Sequence, residues 1–142
     1  MYLLDTNVVS EMRRRTRMAP AVAAWAAQVP PMDLYLSVLS VMELETGALL
    51  VARRDPAQGH LLIDWIERNV LRAFDGRILP VDLAAVRRCA ALHVPDPRPV
   101  KDALIAATAA SHRLSVVTRN VRDFDGLGVP VLNPWDWPVV PG

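Results

Sequence analysis

The sequence predicts an α/β domain built on a mainly parallel, doubly wound sheet. Two observations predict that class. Short apolar runs alternate along the chain with amphipathic helical stretches, which implies parallel strands joined by helical crossovers. The apolar runs are also apolar on both alternating faces, as in strands covered by helices above and below. A length of 142 residues fits one domain with a substantial core, spanning residues 1–142.

The elements follow in order. Residues 2–5 (YLLD) are an apolar run closed by an acid, the first predicted strand. Thr6 or Asn7 then caps a helix to about Arg14. Pro20 suits the first turn of a second helix, which stops at Pro30 and Pro31. LYLSV (34–38) reads as a buried strand, and Ser40 opens a long helix to about Arg54. Pro56 opens another, with Leu62, Trp65, Ile66, Val70 and Leu71 on one stripe. RILPV (77–81) is a third strand, and Asp82 caps a helix to about His93. VPDPRP is a stiff loop, and Pro99 starts the helix VKDALIAATAASH. SVVT (115–118) and PVLN (130–133) are strands, separated by a turn at Gly126 and Gly128. The tail PWDWPVVPG reads as irregular.

Composition narrows the function classes. Apolar residues make up 52% and charged residues 22%, which argues against disorder. The net charge of +1 excludes a strongly basic coat but leaves room for a local basic rim. The single cysteine, Cys89, forms no internal disulfide, sits in a helical pattern as a buried thiol, and fits a reducing cytoplasm. The start MYLLDTNVV lacks a basic leader, so no signal peptide is expected. No apolar run reaches the ~20 residues that cross a bilayer, so no membrane partner is expected.

In open parallel sheets, ligands bind beyond the carboxyl ends of the strands. Four acids fall at that edge: Asp5 ends the first strand, Glu43 follows the second, Asp102 opens the helix after VPDPRPV, and Asp123 follows SVVT. Two carboxylates ~4 Å apart repel by about 4 kcal/mol at an effective dielectric near 20. Four together require a cation or protonation. Oxygen ligands favour Mg²⁺ or Mn²⁺, and His60, His93 and His112 are too scattered to make a zinc site. Each acid also has a plain structural role. Asp5 can cap a helix, Ser40 and Glu43 form an S-x-x-E capping box, Asp102 suits a helix dipole, and Asp123 competes with Asp125 as a loop acid. The functional reading rests on the coincidence of the four.

Their neighbours extend it. Asn7, Thr118 and Asn120 can orient the carboxylates, or serve turns and caps. Lys101, Arg119 and Arg122 can hold a polyanion against the acids, or pair with them. Arg13 and Arg14, with Arg15 and Arg17, form either a phosphate track or a solvated helix end.

The segments MYLLDTNVVSE, LSVMELETGALL, KDALIAATAASH, VVTRNVRDF and GVPVLNPW, in that order from Met1 to about Trp135, resemble the PIN domain. More narrowly, they resemble the VapC/FitB-like toxins of bacterial type II toxin–antitoxin pairs. The resemblance implies a three-layer α/β/α sandwich and an endoribonuclease that uses Mg²⁺ or Mn²⁺ to activate water. It carries the family's acids onto Asp5, Glu43, Asp102 and Asp123, and its T-x-N element onto Thr118 and Asn120. It also implies an RNA substrate, a homodimer and a small cognate antitoxin. An interface around Trp25 or the C-terminal tryptophans is one expectation for that dimer, while Trp135 and Trp137 can instead be packing residues.

Other classes fit the residues less well. A haloacid-dehalogenase-like phosphatase needs an acid two residues after Asp5, where Asn7 stands, and a receiver domain needs adjacent acids there, where Thr6 stands. A catalytically silent binding module of the same fold is the remaining alternative.

Overall fold

The structure is a computed structural model and describes residues 1–140. Strands β1 (Tyr2–Leu4), β2 (Leu34–Ser37), β3 (Ile78–Leu79), β4 (Ser115–Val117) and β5 (Val131–Leu132) form one sheet in the order β3-β2-β1-β4-β5. Every neighbouring pair is parallel. The chain steps outward from β1 to β2 and β3 on one side, then returns to β4 and β5 on the other. The switch point of the sheet therefore lies between β1 and β4, where open α/β sheets form their crevice.

The helices are α1 (Thr6–Met12), α2 (Pro20–Gln28), α3 (Val38–Arg54), α4 (Pro56–Trp65), α5 (Leu71–Ala73), α6 (Leu83–Leu92) and α7 (Val100–Ser111). A single π turn, Ile66–Val70, joins α4 to α5. Side chains alternate across the strands with period two. Leu4 and Val117 enter a core with Val8, Trp25, Leu44 and Val70 from α1 to α5. Leu3 and Val116 enter a second core with Ile105, Ala109 and Phe124, where α7 covers the other face. Ala85 and Cys89 of α6 pack on Ala103 and Ala107 of α7. The result is an α/β/α sandwich, as expected.

Several local expectations are corrected. The cap of α1 is Asp5, whose Oδ1 accepts from the Thr6 amide at 2.9 Å, rather than Thr6 or Asn7. Helix α1 stops at Met12, and Arg15 with φ +47° turns the chain into a short 3-10 segment, Arg15–Arg17. Helix α3 begins at Val38 with Ser37 as its cap, so Ser40 and Glu43 form no capping box. Ser37 wins because its extended backbone already ends β2, leaving its Oγ free to accept from Leu39 N at 3.1 Å. Trp25 is fully buried and stacks edge-on against Tyr2 at 5.4 Å, so it offers no surface to a second copy. Trp135 and Trp137 are packing residues against the first core. The tail, expected to be irregular, holds a short 3-10 turn at Pro134–Asp136, and its last two residues, 141–142, lie outside the described residues.

Other expectations hold. Asp82 caps α6 by accepting from Ala85 N at 2.9 Å, and Gly126 and Gly128 adopt φ of +73° and +71°. Cys89 is buried and free, and burial pushes its thiol pKa up. No helix among the described residues is long and apolar enough to cross a membrane.

Candidate active site

The register of β1 and β4 builds the first half of the site. Leu4 pairs with Val117, so the next residues, Asp5 and Thr118, leave the sheet side by side. The Asp5 amide donates to Val117 O at 2.8 Å, which holds the turn onto the sheet. The Asp5 side chain is only 5% exposed. Its Oδ1 caps α1, and its Oδ2 accepts from Thr118 Oγ1 at 2.8 Å and from Asn7 Nδ2 at 3.5 Å. Thr118 is a hub, since its Oγ1 also accepts from the Asn120 amide at 3.0 Å and from Asn7 Nδ2 at 3.3 Å. Asn7 Oδ1 accepts from the Arg119 amide at 3.2 Å. Asn7 and Thr118 thus both hydrogen-bond the Asp5 carboxylate, whereas Asn120 enters this network through its backbone amide.

The second half comes from two helices. Glu43 lies in the second turn of α3, and Lys101 and Asp102 lie in the first turn of α7. Lys101 Nζ donates to Glu43 Oε2 in an ion pair that spans the two helices. Burial pushes the Glu43 pKa up, but the hydrogen bond from Lys101, the nearness of Thr6 and the Lys101 charge outweigh it. The net shift is below the usual value. Thr6 Oγ1 itself is buried and completes no hydrogen bond of good geometry. Burial likewise lowers the Lys101 pKa, yet its bond and attraction to Glu43, then its attraction to Asp5 and Asp102, raise it overall.

Asp102 senses the whole set. Burial pushes its pKa up first. Lys101 opposes that, and the carboxylates of Asp123, Asp5 and Glu43 push it further up. Asp102 is therefore within electrostatic reach of Asp123, Asp5 and Glu43. Asp123 is the most open of them, exposed on a 3-10 turn, Val121–Phe124, after β4.

The donor set fits a hard divalent cation by chemistry: carboxylate and hydroxyl oxygens, with no thiol or imidazole among them. Two observations support that fit. Thr6 Oγ1 is an orphaned buried hydroxyl beside Glu43, and the Lys101 ammonium stands where a cation neutralises the acids. Among the described residues, no group of three or more His, Cys, Asp or Glu side chains is placed to hold a metal ion. Asp5 is paired with Thr6, Asn7 and Thr118, and Glu43 with Lys101.

Cavities with arginine in their walls reach Glu43 and Asp123. One of about 320 Å³ lies between Thr6, Arg13 and Glu43, with the Arg13 guanidinium 5.5 Å from the Trp65 ring. One of about 500 Å³ runs between Arg119, Asn120, Arg122 and Asp123. Arg14 and Arg119 line a third. Of the cations named from the sequence, Arg13, Arg14, Arg119 and Arg122 thus border the site, while Lys101 is turned inward onto Glu43. The sequence reading missed Thr6, Glu11 and the packing of Arg119 on Trp135. The i,i+3 spacing of Glu11 and Arg14 on α1 was a readable signal; the other two depend on tertiary contacts.

Comparison with known proteins identifies the family. The PIN domain matches residues 2–129. Toxin FitB of Neisseria gonorrhoeae is 38% identical over 141 residues, covering 95% of this chain and 99% of that one. VapC ribonuclease Y4jK of Sinorhizobium fredii is 37% identical, covering 96% and 99%. The crystal structure of FitAcB from Neisseria gonorrhoeae contains a chain that superimposes with a TM-score of 0.86 at 35% identity, covering 96% of this chain and 99% of that one. With the fold, the acid-bearing strand edge and near full-length similarity in agreement, this chain belongs to the PIN-domain family and is closely related to the VapC/FitB-type toxins of bacterial toxin–antitoxin systems.

Proposed function

We propose that the protein is a metal-dependent endoribonuclease, the toxin of a type II toxin–antitoxin pair, with Asp5, Glu43, Asp102 and Asp123 as its cation-binding and catalytic acids. The observation that carries this reading is the buried Asp5 carboxylate at the β1–β4 edge, held by Thr118 and Asn7, with Asp102 within electrostatic reach of it, of Glu43 and of Asp123. Relatives at 37–38% identity include one named a toxin and one named a ribonuclease. A Mg²⁺ or Mn²⁺ ion bound there supplies positive charge for the phosphoryl oxygens and acidifies water for attack near neutral pH.

The protein's own part is positioning. Thr118 and Asn7 fix the Asp5 carboxylate in one orientation, so that little reorganisation is needed when a cation and phosphate arrive. Arg13, Arg14, Arg119 and Arg122 line the path by which RNA is held beside acids that would otherwise repel it. Single-stranded RNA is the fitting substrate because its bases are accessible. The chain acts as one domain, a homodimer is its resting assembly, and a small antitoxin encoded beside it is its partner in the cell. The relatives' structures include toxin–antitoxin complexes.

The test is cleavage of single-stranded RNA with Mg²⁺ and with chelator, by wild type, Asp5→Asn and Asp102→Asn. Asn at position 5 can still accept from the Thr6 amide, and a circular-dichroism spectrum checks that each variant is folded. Wild-type cleavage abolished by chelator and reduced about a hundredfold or more in both variants is expected, the scale of losing a group that stabilises transition-state charge. Equal rates in all three proteins would sink the reading. A binding module without turnover is the second reading, favoured by the Lys101–Glu43 pair that engages one acid. RNA binding without any metal-dependent cleavage would select it.

A further inference from the structure

Next to the acid pocket lies a cavity of about 390 Å³, lined by Asn7, Ser10, Glu11, Arg14, Arg119 and Trp135. The Arg119 guanidinium lies 5.0 Å from the Trp135 ring centroid, while Arg119 as a whole is exposed. A cation stacked on one face leaves its other face for a second flat group. Glu11 is 7% exposed and sits in the cavity wall. Its Oε1 accepts from Arg14 Nη1 at 2.9 Å, and Oε2 has no protein partner among the described residues. The Glu11 carboxylate therefore keeps one oxygen free to accept from a ligand in the cavity. Asn7 joins the two spaces, because it lines this cavity and also donates to Asp5 Oδ2.

We propose that this cavity is a subsite for one unpaired nucleobase of the RNA, guanine before the others, stacked on Arg119 and read at its edge by Glu11 and Arg14. The inference rests on the RNA-cleaving reading of the adjoining pocket. Stacking on an arginine plane or an aromatic ring is how single-stranded bases are commonly held. An ionised carboxylate only accepts, so it rejects edges made of acceptors. Guanine offers two adjacent N–H donors, at N1 and N2, with the O6 acceptor beside them. That order matches Glu11 with Arg14 next to it. Uracil has one donor between two acceptors and meets the carboxylate poorly. A base seated here sits one residue, Asn7, away from the acid that would face its phosphate.

The experiment uses the full chain. Binding of 5′-labelled eight-nucleotide single-stranded RNAs, identical but for one central base, is followed by fluorescence anisotropy in EDTA, where metal-dependent cleavage is silent. The same proteins then cut a randomised RNA pool with Mn²⁺, and the cut sites are sequenced. Wild type is expected to bind the guanine oligonucleotide several-fold more tightly than the uracil one. Arg119→Ala, at an exposed position that does not hold the fold, is expected to weaken binding about fivefold or more, the lower end of one base–platform contact. Glu11→Gln is expected to flatten the preference among bases, and Trp135→Phe, which keeps a ring, to retain it. Equal affinity of wild type for all four oligonucleotides, or an unchanged preference in both Arg119→Ala and Glu11→Gln, overturns the subsite. Guanine-selective binding with no cleavage in Mn²⁺ overturns the nuclease reading alone and leaves the subsite standing.

Discussion

Asp102 shows how one side chain registers the chemistry of its surroundings. Burial and three neighbouring carboxylates hold its pKa above the usual value in spite of Lys101. A raised pKa means that the folded state prefers the protonated acid, so ionising it as pH rises costs stability. Asp102→Asn is neutral at every pH. The variant is therefore expected to melt higher than wild type at pH 8 in EDTA, and the gain should vanish at pH values where wild-type Asp102 is protonated in both folded and unfolded states. Melting curves at pH 8 and near pH 3 check this, and a variant less stable at pH 8 would show that the acid is not repelled. Lys101 is the complementary case. Its pair with Glu43 is more than a third exposed, 38% and 36% for the two side chains, so its stabilisation is at most about 1 kcal/mol. Lys101→Met in EDTA is expected to lower Tm by about 3 °C. The same change should tighten Mn²⁺ binding, measured by titration, because it removes a cation that competes for Glu43. Weaker Mn²⁺ binding would instead show that Lys101 helps to build the site.

At the scale of elements, the position of Glu43 depends on how α3 is held. Helix α3 packs on α4 across a very close approach at Gly59. A Cβ there would lie 2.4 Å from both Cα and Cβ of Ala52. Backbone atoms cannot yield as the end of a flexible side chain can. Gly59→Ala is expected to destabilise by about 1–3 kcal/mol as the helices are forced apart, the range for an overpacked contact. Urea denaturation reads this directly, and an unchanged midpoint would mean that α4 shifts freely. Element boundaries were legible in the sequence where a residue carries its own signal. Pro20 and Pro56 start α2 and α4, and Asp82 caps α6. The start of α3 is not legible locally, because Ser37 and Ser40 carry the same signal. What separates them is that Ser37 already ends a strand of the sheet.

For the whole molecule, the sheet joins the acids into one unit, so a cation that bridges them is expected to stabilise the entire fold. A ligand that binds only the native state adds about 2.7 kcal/mol at a hundred times its dissociation constant. Wild type is expected to show a Tm that climbs with Mn²⁺ concentration, whereas Asp5→Asn and Asp102→Asn should lose most of that rise. A Tm that is indifferent to Mn²⁺ in wild type would mean that the acids hold no cation in the native state. Differential scanning calorimetry across a Mn²⁺ series makes the measurement.

The sequence by itself determined the parallel α/β class, the alternating core faces, and the placement of Asp5 and Asp102 at a strand end and a helix start. Those features follow from periodicity and caps, which act over a few residues. Tertiary structure alone decided that Thr118 bonds Asp5 across 113 positions, that Lys101 turns inward to Glu43, that Trp25 is core, and that Arg119 lies on Trp135. Such partners are set by strand register and helix packing. A one-residue slip of β4 against β1 would send Thr118 to the opposite face while leaving every local pattern in the chain intact.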